Sequence, residues 1–150
     1  MSQLLEALNR IAQLSPDAIK PGVTIEQIDE YLRYYYDVNF KLPEELYQLY
    51  QFSNGLDTNF ALIFNLWRAI KYYSEEREKF GYYSAWFPIS SYDECIFFIR
   101  GDSQQNKTAP VIQIHYAESL ENYNFEPKIE YSSLTEMITD IADEIEYPYG

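Results

Sequence analysis

Apolar residues recur along this chain with two different periods, and the change from one to the other divides it. Leu4, Leu8 and Ile11 share a face at helical spacing. They predict a first, short outer helix that ends near Ser15-Pro16, where the proline disfavours helix in the residue before it. Pro21-Gly22 turns the chain. Thr24 with Gln27 then offers a capping box for a second helix, with Ile25, Ile28, Leu32 and Tyr35 inward and Glu26, Asp29, Glu30 and Arg33 on the wet side. Tyr34-Tyr35-Tyr36 cannot share one helical face, so at least one ring is expected on the flank or at the surface. Residues 42–55 read as a complete third helix. Pro43 suits the first helical position, whose nitrogen has no intrahelical partner to lose, and Glu44 and Glu45 sit at the positive end of the helix dipole. Leu46, Leu49, Tyr50 and Ser53 recur at helical spacing, and Asn54-Gly55 reads as a stop in which Gly55 takes the left-handed conformation.

After Gly55 the pattern shortens. Residues 59–64 are a brief apolar run that predicts a strand, although length alone leaves helix open. Leu66, Ala69, Ile70 and Tyr73 then mark one face of a helix over 66–80, with Glu75, Glu76, Arg77, Glu78 and Lys79 crowding its far end and Gly81 as its stop. Residues 82–89, 96–100 and 111–116 are rich in aromatic and β-branched types and are separated by turn material, as strands are. In the last of them Ile112, Ile114 and Tyr116 alternate with Val111, Gln113 and His115, which predicts a sheet with one buried face. The polar segment 101–109 is too long for a tight hairpin turn and reads as a mobile loop between antiparallel strands. Ser133 with Glu136 offers a second capping box. It opens a final helix with Leu134, Met137 or Ile138, Ile141 and Ile145 inward and Asp140, Asp143 and Glu144 outward, and Tyr147-Pro148-Tyr149-Gly150 leaves that helix. The predicted fold is α+β, an antiparallel or mixed sheet of about four to six strands with helices packed around it.

Composition narrows the class. At 150 residues the chain suits one domain with a real core. Tyrosine outnumbers phenylalanine, 16 to 9, so core and rim are built from rings with polar tips, which are favoured where one end is buried and the other wet, interfaces included. No apolar run approaches the roughly 18 to 20 residues that span a bilayer. The start, Met1-Ser2-Gln3-Leu4-Leu5-Glu6, lacks the basic region of a signal peptide, so the expected location is the cytoplasm, away from membranes. Cys95 is alone, which excludes an intramolecular disulfide or a CxxC metal site. Its neighbours Ile96, Phe97 and Phe98 predict a buried, inert thiol. Net charge is −13 and uneven: Glu118, Glu121, Glu126, Glu130, Glu136, Asp140, Asp143, Glu144 and Glu146 face Lys128 alone, a net of −8 over residues 118–150. Such a field repels phosphate backbones and anionic membranes and attracts a basic protein partner.

The chemistry-bearing residues make no persuasive catalytic set. His115 is the only histidine, and Glu118 nearby does not turn it into a zinc site or a catalytic pair. Asp140-x-x-Asp143-Glu144 and Glu75-Glu76-x-Glu78 are spaced like the helical carboxylates that hold magnesium in some phosphohydrolases, so a metal-dependent hydrolase stands as a minor alternative. Those enzymes also need basic groups for phosphate, and the C-terminal segment has only Lys128. There is no GxSxG, no Ser-x-x-Lys and no glycine-rich phosphate loop. No catalytic residue, metal ligand or cofactor site is predicted, and the non-enzymatic reading leads.

Five segments together carry a resemblance: Leu42-Pro43-Glu44-Glu45-Leu46, Phe52-Ser53-Asn54-Gly55, Leu66-Trp67-Arg68-Ala69-Ile70, Trp86-Phe87-Pro88-Ile89, and Tyr131-Ser132-Ser133-Leu134-Thr135-Glu136-Met137-Ile138. In order and spacing this resembles the SUKH superfamily, the Smi/Knr-like domain, over residues 42–146, with residues 1–40 as an N-terminal helical extension. The signature positions are Leu42, Pro43, Leu46, Asn54, Gly55, Trp86 and Pro88. Where family members commonly carry a glycine-rich turn ending in Gly-Asp, this chain has Ser90-Ser91-Tyr92-Asp93-Glu94, and only the acidic end is kept. The resemblance implies an antiparallel sheet with surrounding helices and one of two roles, neither enzymatic. One is a bacterial immunity protein that binds and neutralises a toxin, often a nuclease; the other is a regulatory adaptor with an endogenous protein partner. The expected contact residues are Asp93, Glu94, Asp102 and its loop, then Asp140, Asp143 and Glu144.

Overall fold

Helical and alternating segments separate in space much as they do in sequence. The computed structural model describes residues 2–35, 40–76, 85–92, 94–115 and 128–148. The expectations placed on Tyr36, residues 77–84 with the Gly81 stop, Asp93, Tyr116, Glu118 and the last two residues lie outside them. Among the described residues five α-helices, α1 (Gln3–Leu14), α2 (Ile25–Glu30), α3 (Glu44–Phe52), α4 (Leu66–Glu76) and α5 (Leu134–Glu146), surround six strands. The strands are β1 (Leu56–Asp57), β2 (Leu62–Ile63), β3 (Trp86–Tyr92), β4 (Cys95–Arg100), β5 (Val111–His115) and β6 (Lys128–Tyr131). They form one open antiparallel sheet in sequential order, so the fold is α+β. None of the described helices is long and apolar enough to cross a membrane.

The helical layer corrects the sequence expectation for α1. It is not an outer helix: Leu4, Ala7, Leu8 and Ile11 are buried, and α1 packs between α5 and α3. Four apolar side chains at 4, 7, 8 and 11 make a stripe wide enough to serve two neighbours. In α2 the capping box of Thr24 and Gln27 is present, but Ile25 is exposed; Ile28 of α2 and Leu32 of the π-helical turn that follows, Tyr31–Tyr35, are buried, and the side chain of Tyr35 lies outside the described ones.

Helix α3 is where distant segments meet. Pro43 is its extended N-cap and not its first helical residue, so α3 begins at Glu44, one residue later than expected, and the helix stops at Phe52 with Ser53 extended. Gly55 does take positive φ, 92°, yet as the entry to β1 and not as the helix stop. A Cβ there would stand 2.7 Å from the Ile63 carbonyl oxygen, so backbone conformation and space both require glycine. Gly22 is required for another reason. Val23 N–H donates to the Tyr50 carbonyl and Asn54 N–H to that of Pro21, which draws the chain against the end of α3. A Cβ on Gly22 would lie 1.8 Å from the Gln51 oxygen. At the other end, Glu44 and Glu45 N–H donate to the carbonyls of Asn106 and Lys107, satisfying donors that the helix cannot satisfy itself. Glu45 is buried, and its Oε2 accepts from the backbone and hydroxyl of Thr135 in the first turn of α5.

Consecutive strand residues point to opposite faces, and Cys95 through Ile99 are all buried. The central sheet is therefore covered on both faces, not one, and Val111 is buried along with Ile112 and Ile114. Strand β1 was not foreseen, and of the run 59–64 only Leu62 and Ile63 are strand. Strand β3 runs on through Ser90, Ser91 and Tyr92, which the sequence presented as turn material, and its register shifts between Pro88 and Ser90. A proline inside a strand is tolerated at such an irregularity. In α5 both Met137 and Ile138 are buried. The second capping box is only half made: Ser133 Oγ accepts from Glu136 N–H at 3.2 Å, while the Glu136 carboxylate turns to Ser132.

Asn54 Oδ1 accepts from Leu66 N–H and Asn65 Oδ1 from Arg68 N–H, each at 2.8 Å, so two asparagines cap α4. Asn54→Ala is expected to lower stability by about 1 kcal/mol, the usual size of a lost cap. Asn54→Asp, which keeps the acceptor, is expected to retain most of it. Urea unfolding of the two variants checks this, and equal losses would show that Asn54 acts through something other than its oxygen.

Candidate functional site

One face of α5 carries Met137, Asp140, Ile141 and Glu144 in a stripe at helical spacing, and this stripe forms one wall of a depression. The opposite wall comes from the sheet: Phe97 of β4, Tyr131 of β6 and Tyr92 at the end of β3, with Phe60 and Ala61 from the turn before β2. That turn is held by Thr58, whose Oγ1 accepts from the N–H of Phe60 and of Ala61 and donates to the Ala61 carbonyl. The rings of Phe97 and Tyr131 lie 6.4 Å apart and tilted. The depression holds only about 50 Å³.

Its floor is apolar and its rim is anionic. Met137 and Phe97 are buried, Tyr92 is 47% exposed, and Asp140 and Glu144 are exposed. Tyr131 OH donates to Asp140 Oδ2 at 2.7 Å. Burial first, and then that carboxylate, push the tyrosine hydroxyl up in pKa, which keeps it a neutral donor. Neither Asp140 nor Glu144 pairs with a cation among the described residues, whereas Asp143, one position away, does. It turns to α1 and meets Arg10 at 3.0 Å, and Glu146 shares the same guanidinium. The two carboxylates, Glu146 ahead of Asp143, raise the pKa of Arg10.

The structure thus sorts the sequence-predicted contact residues. Asp140 and Glu144 share the depression with Tyr92, and Glu94 lies two residues beyond Tyr92 in the β3–β4 connection. Asp93 is outside the described residues. Asp143 is occupied by Arg10. Asp102 lies past the other end of β4, a strand of six residues, and so roughly 20 Å from Glu94. The loop around it is exposed, as its polarity predicted, and is tied to the chain before α3. Backbone hydrogen bonds join Asp102 to Lys41 in both directions, Gln105 donates to the Leu42 carbonyl, and the Asp102 carboxylate accepts from Ser103 N–H and the Asn106 amide. The backbone carbonyls of Asn106 and Lys107 and the side chain of Gln105 serve the start of α3, while Asp102 and Asn106 hold the loop itself. Of the signature positions, Leu42, Pro43, Leu46 and Pro88 are buried, Trp86 is half-buried, and Asn54 and Gly55 hold turns.

Sequence reasoning missed the ring wall of Phe60, Tyr92, Phe97 and Tyr131. The excess of tyrosine was its only signal, because these rings come from four separate segments. Elsewhere, a larger cleft of about 650 Å³ lies between α2, α3 and the 101–109 loop. Its Arg33 and Lys41 oppose Asp29 and Glu44, so the cleft has no single sign of charge. Within it Tyr47 OH donates to Asp29 at 2.6 Å. No group of three or more His, Cys, Asp or Glu side chains is placed to hold a metal ion among the described residues. Cys95 is buried, with the Gln113 amide donating to its sulfur, and His115 Nε2 lies 3.5 Å from Glu94 Oε2. Compared with family models and with curated proteins, the chain matches none.

Glu94 sits at φ 64°, a left-handed conformation that costs a residue with a Cβ about 1–2 kcal/mol. Glu94→Gly is therefore expected to raise stability by about 1 kcal/mol, seen as a higher urea midpoint at unchanged slope. A fall would mean that the contact with His115 outweighs the backbone. Asp102 is held below the ordinary carboxyl value of 3.8, chiefly by Ser103 N–H and then by the Asn106 amide. A depressed folded-state pKa contributes stability that is present above the ordinary value and is lost as pH falls through the lowered one. Carboxyl NMR should place the Asp102 midpoint below 3.8, with the Ser103 amide shift following it, and a midpoint at or above that value would overturn the assignment.

Proposed function

We propose that this chain is a non-enzymatic protein-binding module of the immunity type, which occupies the basic functional surface of a partner toxin such as a nuclease. The single observation that carries this reading is the ring-lined depression whose rim, Asp140 and Glu144, meets no cation among the described residues. An active site that holds nucleic-acid phosphates must be basic, and a carboxylate surface is the complement that occupies it. The resemblance of residues 42–146 to the SUKH superfamily supports the same reading, since immunity proteins are one of its two known roles. Aromatic side chains beside the acids supply desolvated contact area, and charge supplies steering and choice of partner.

Co-expression with a toxin encoded beside the gene is expected to restore growth. The purified complex is expected to lose at least about tenfold in affinity between low and physiological salt, through slower association. Absence of rescue, together with a stable complex formed with an endogenous protein, would replace the immunity role with that of a regulatory adaptor. Rescue through a salt-insensitive complex would keep the binding role and remove its electrostatic basis.

A further inference from the structure

The depression is too small for a cofactor or metabolite. Pockets for such ligands run from about 300 to 1,000 Å³, and this one offers about 50 Å³, room for the end of a single side chain. Its walls are rings on the sheet side and a Met–Ile floor on the helix side, and among the described residues its charged groups are Asp140 and Glu144, one helical turn apart. What enters must therefore be cationic at its tip and able to lie against aromatic faces.

An anion is excluded by the rim. A metal ion finds no third ligand among the described residues, because Asp140 is already bonded to Tyr131 and the remaining described lining is rings, methyls and a thioether. Between the two cationic side chains the geometry favours the planar one. A guanidinium stacks on aromatic faces and is only weakly hydrated, and its fork reaches two carboxylates at once, whereas an ammonium is a compact, strongly hydrated point charge. Among the described residues no cation of the chain pairs with Asp140 or Glu144. Arg10 of α1, which does meet α5, is held by Asp143 and Glu146 on another stripe of that helix.

Resting on the protein-binding reading for its source, we infer that the depression between α5 and the end of β3 is the anchor site for one arginine side chain of the partner. The guanidinium lies against Tyr92 and Phe97 and bridges Asp140 and Glu144. Methylenes of the same side chain cover Met137 and Ile141, and Tyr131 holds the Asp140 carboxylate in place through the hydroxyl bond at 2.7 Å.

The test uses the whole chain and small probes. Nα-acetyl-arginine methylamide, titrated in amide-resolved NMR, is expected to give saturable shifts centred on Phe97, Tyr131, Met137 and Ile141. The citrulline analogue, equal in shape but uncharged, is expected to bind at least about fivefold more weakly, and the lysine analogue is expected to fall between them. The double variant Asp140→Asn, Glu144→Gln, whose asparagine still accepts from Tyr131, should show the same loss for the arginine probe with an unchanged unfolding midpoint. Equal binding of arginine and citrulline probes, an unaffected double variant, or shifts centred elsewhere would each overturn the anchor. The growth assay separates this inference from the broader reading. If wild type rescues and Tyr92→Ala and the double variant rescue equally well, the anchor falls and the immunity role stands. If the arginine probe binds as described and wild type does not rescue, the anchor stands and the immunity role falls.

Discussion

The backbone groups that a helix leaves unpaired at its ends dominate the construction around α3. Its first N–H groups reach carbonyls in the loop between β4 and β5, some sixty residues further along the chain. Its last turn receives Val23 N–H, and the residues just beyond it are tied to Pro21 and, through the Ser53 hydroxyl, to Lys20 N–H. Asn54 then caps α4, and buried Glu45 caps the first turn of α5. Burial without a partner would cost each of these groups on the order of 1–3 kcal/mol, so α3 and the residues that flank it fix four other segments, two by hydrogen bonds at its own ends and two by capping other helices. Glu45 Oε1 is the exception, with no hydrogen-bond partner among the described residues.

That constraint also decides which polar residues are free to meet a partner. The 101–109 loop turns backbone carbonyls to the end of a helix, and Asp102 spends its acceptors on Ser103 and Asn106. Helix α5 divides its acids by the same logic of neighbours. Residues 143 and 146 look toward α1 and its arginine, whereas residues 140 and 144 look toward the sheet, where the described residues supply no cation. Acids adjacent in sequence therefore do unlike jobs, one pair holding helices together and the other facing outward over aromatic rings.

Glu94 fits this division. A carboxylate in left-handed backbone, where glycine would be easier, is a local cost at the same end of the sheet as the depression. The neighbouring strand register explains the position but not the residue: Tyr92 pairs with Cys95, which leaves the connection too short for an extended backbone at Glu94.

Periodicity by itself determined the helices at 3–14, 66–76 and 134–146 and the strands β4 and β5 to within a residue or two where they are described, because helical and alternating patterns are local and each residue reports on its own element; it ran the second helix on to Tyr35, where the α-helix stops at Glu30, and ended β3 three residues early. It determined the α+β class and the uneven charge for the same reason. What it could not carry was anything set by a partner distant in the chain. The burial of Val111 and of consecutive residues 95–99 depends on cover over both faces of the sheet. The placement of α1 depends on α3 and α5, and the short strand β1 depends on the positive φ of Gly55 and on pairing with Leu62 and Ile63. The depression was invisible for the plainest reason. Its rings come from the turn before β2 and from β3, β4 and β6, its acids come from α5, and only tertiary packing brings residues 60, 92, 97, 131, 140 and 144 to one place.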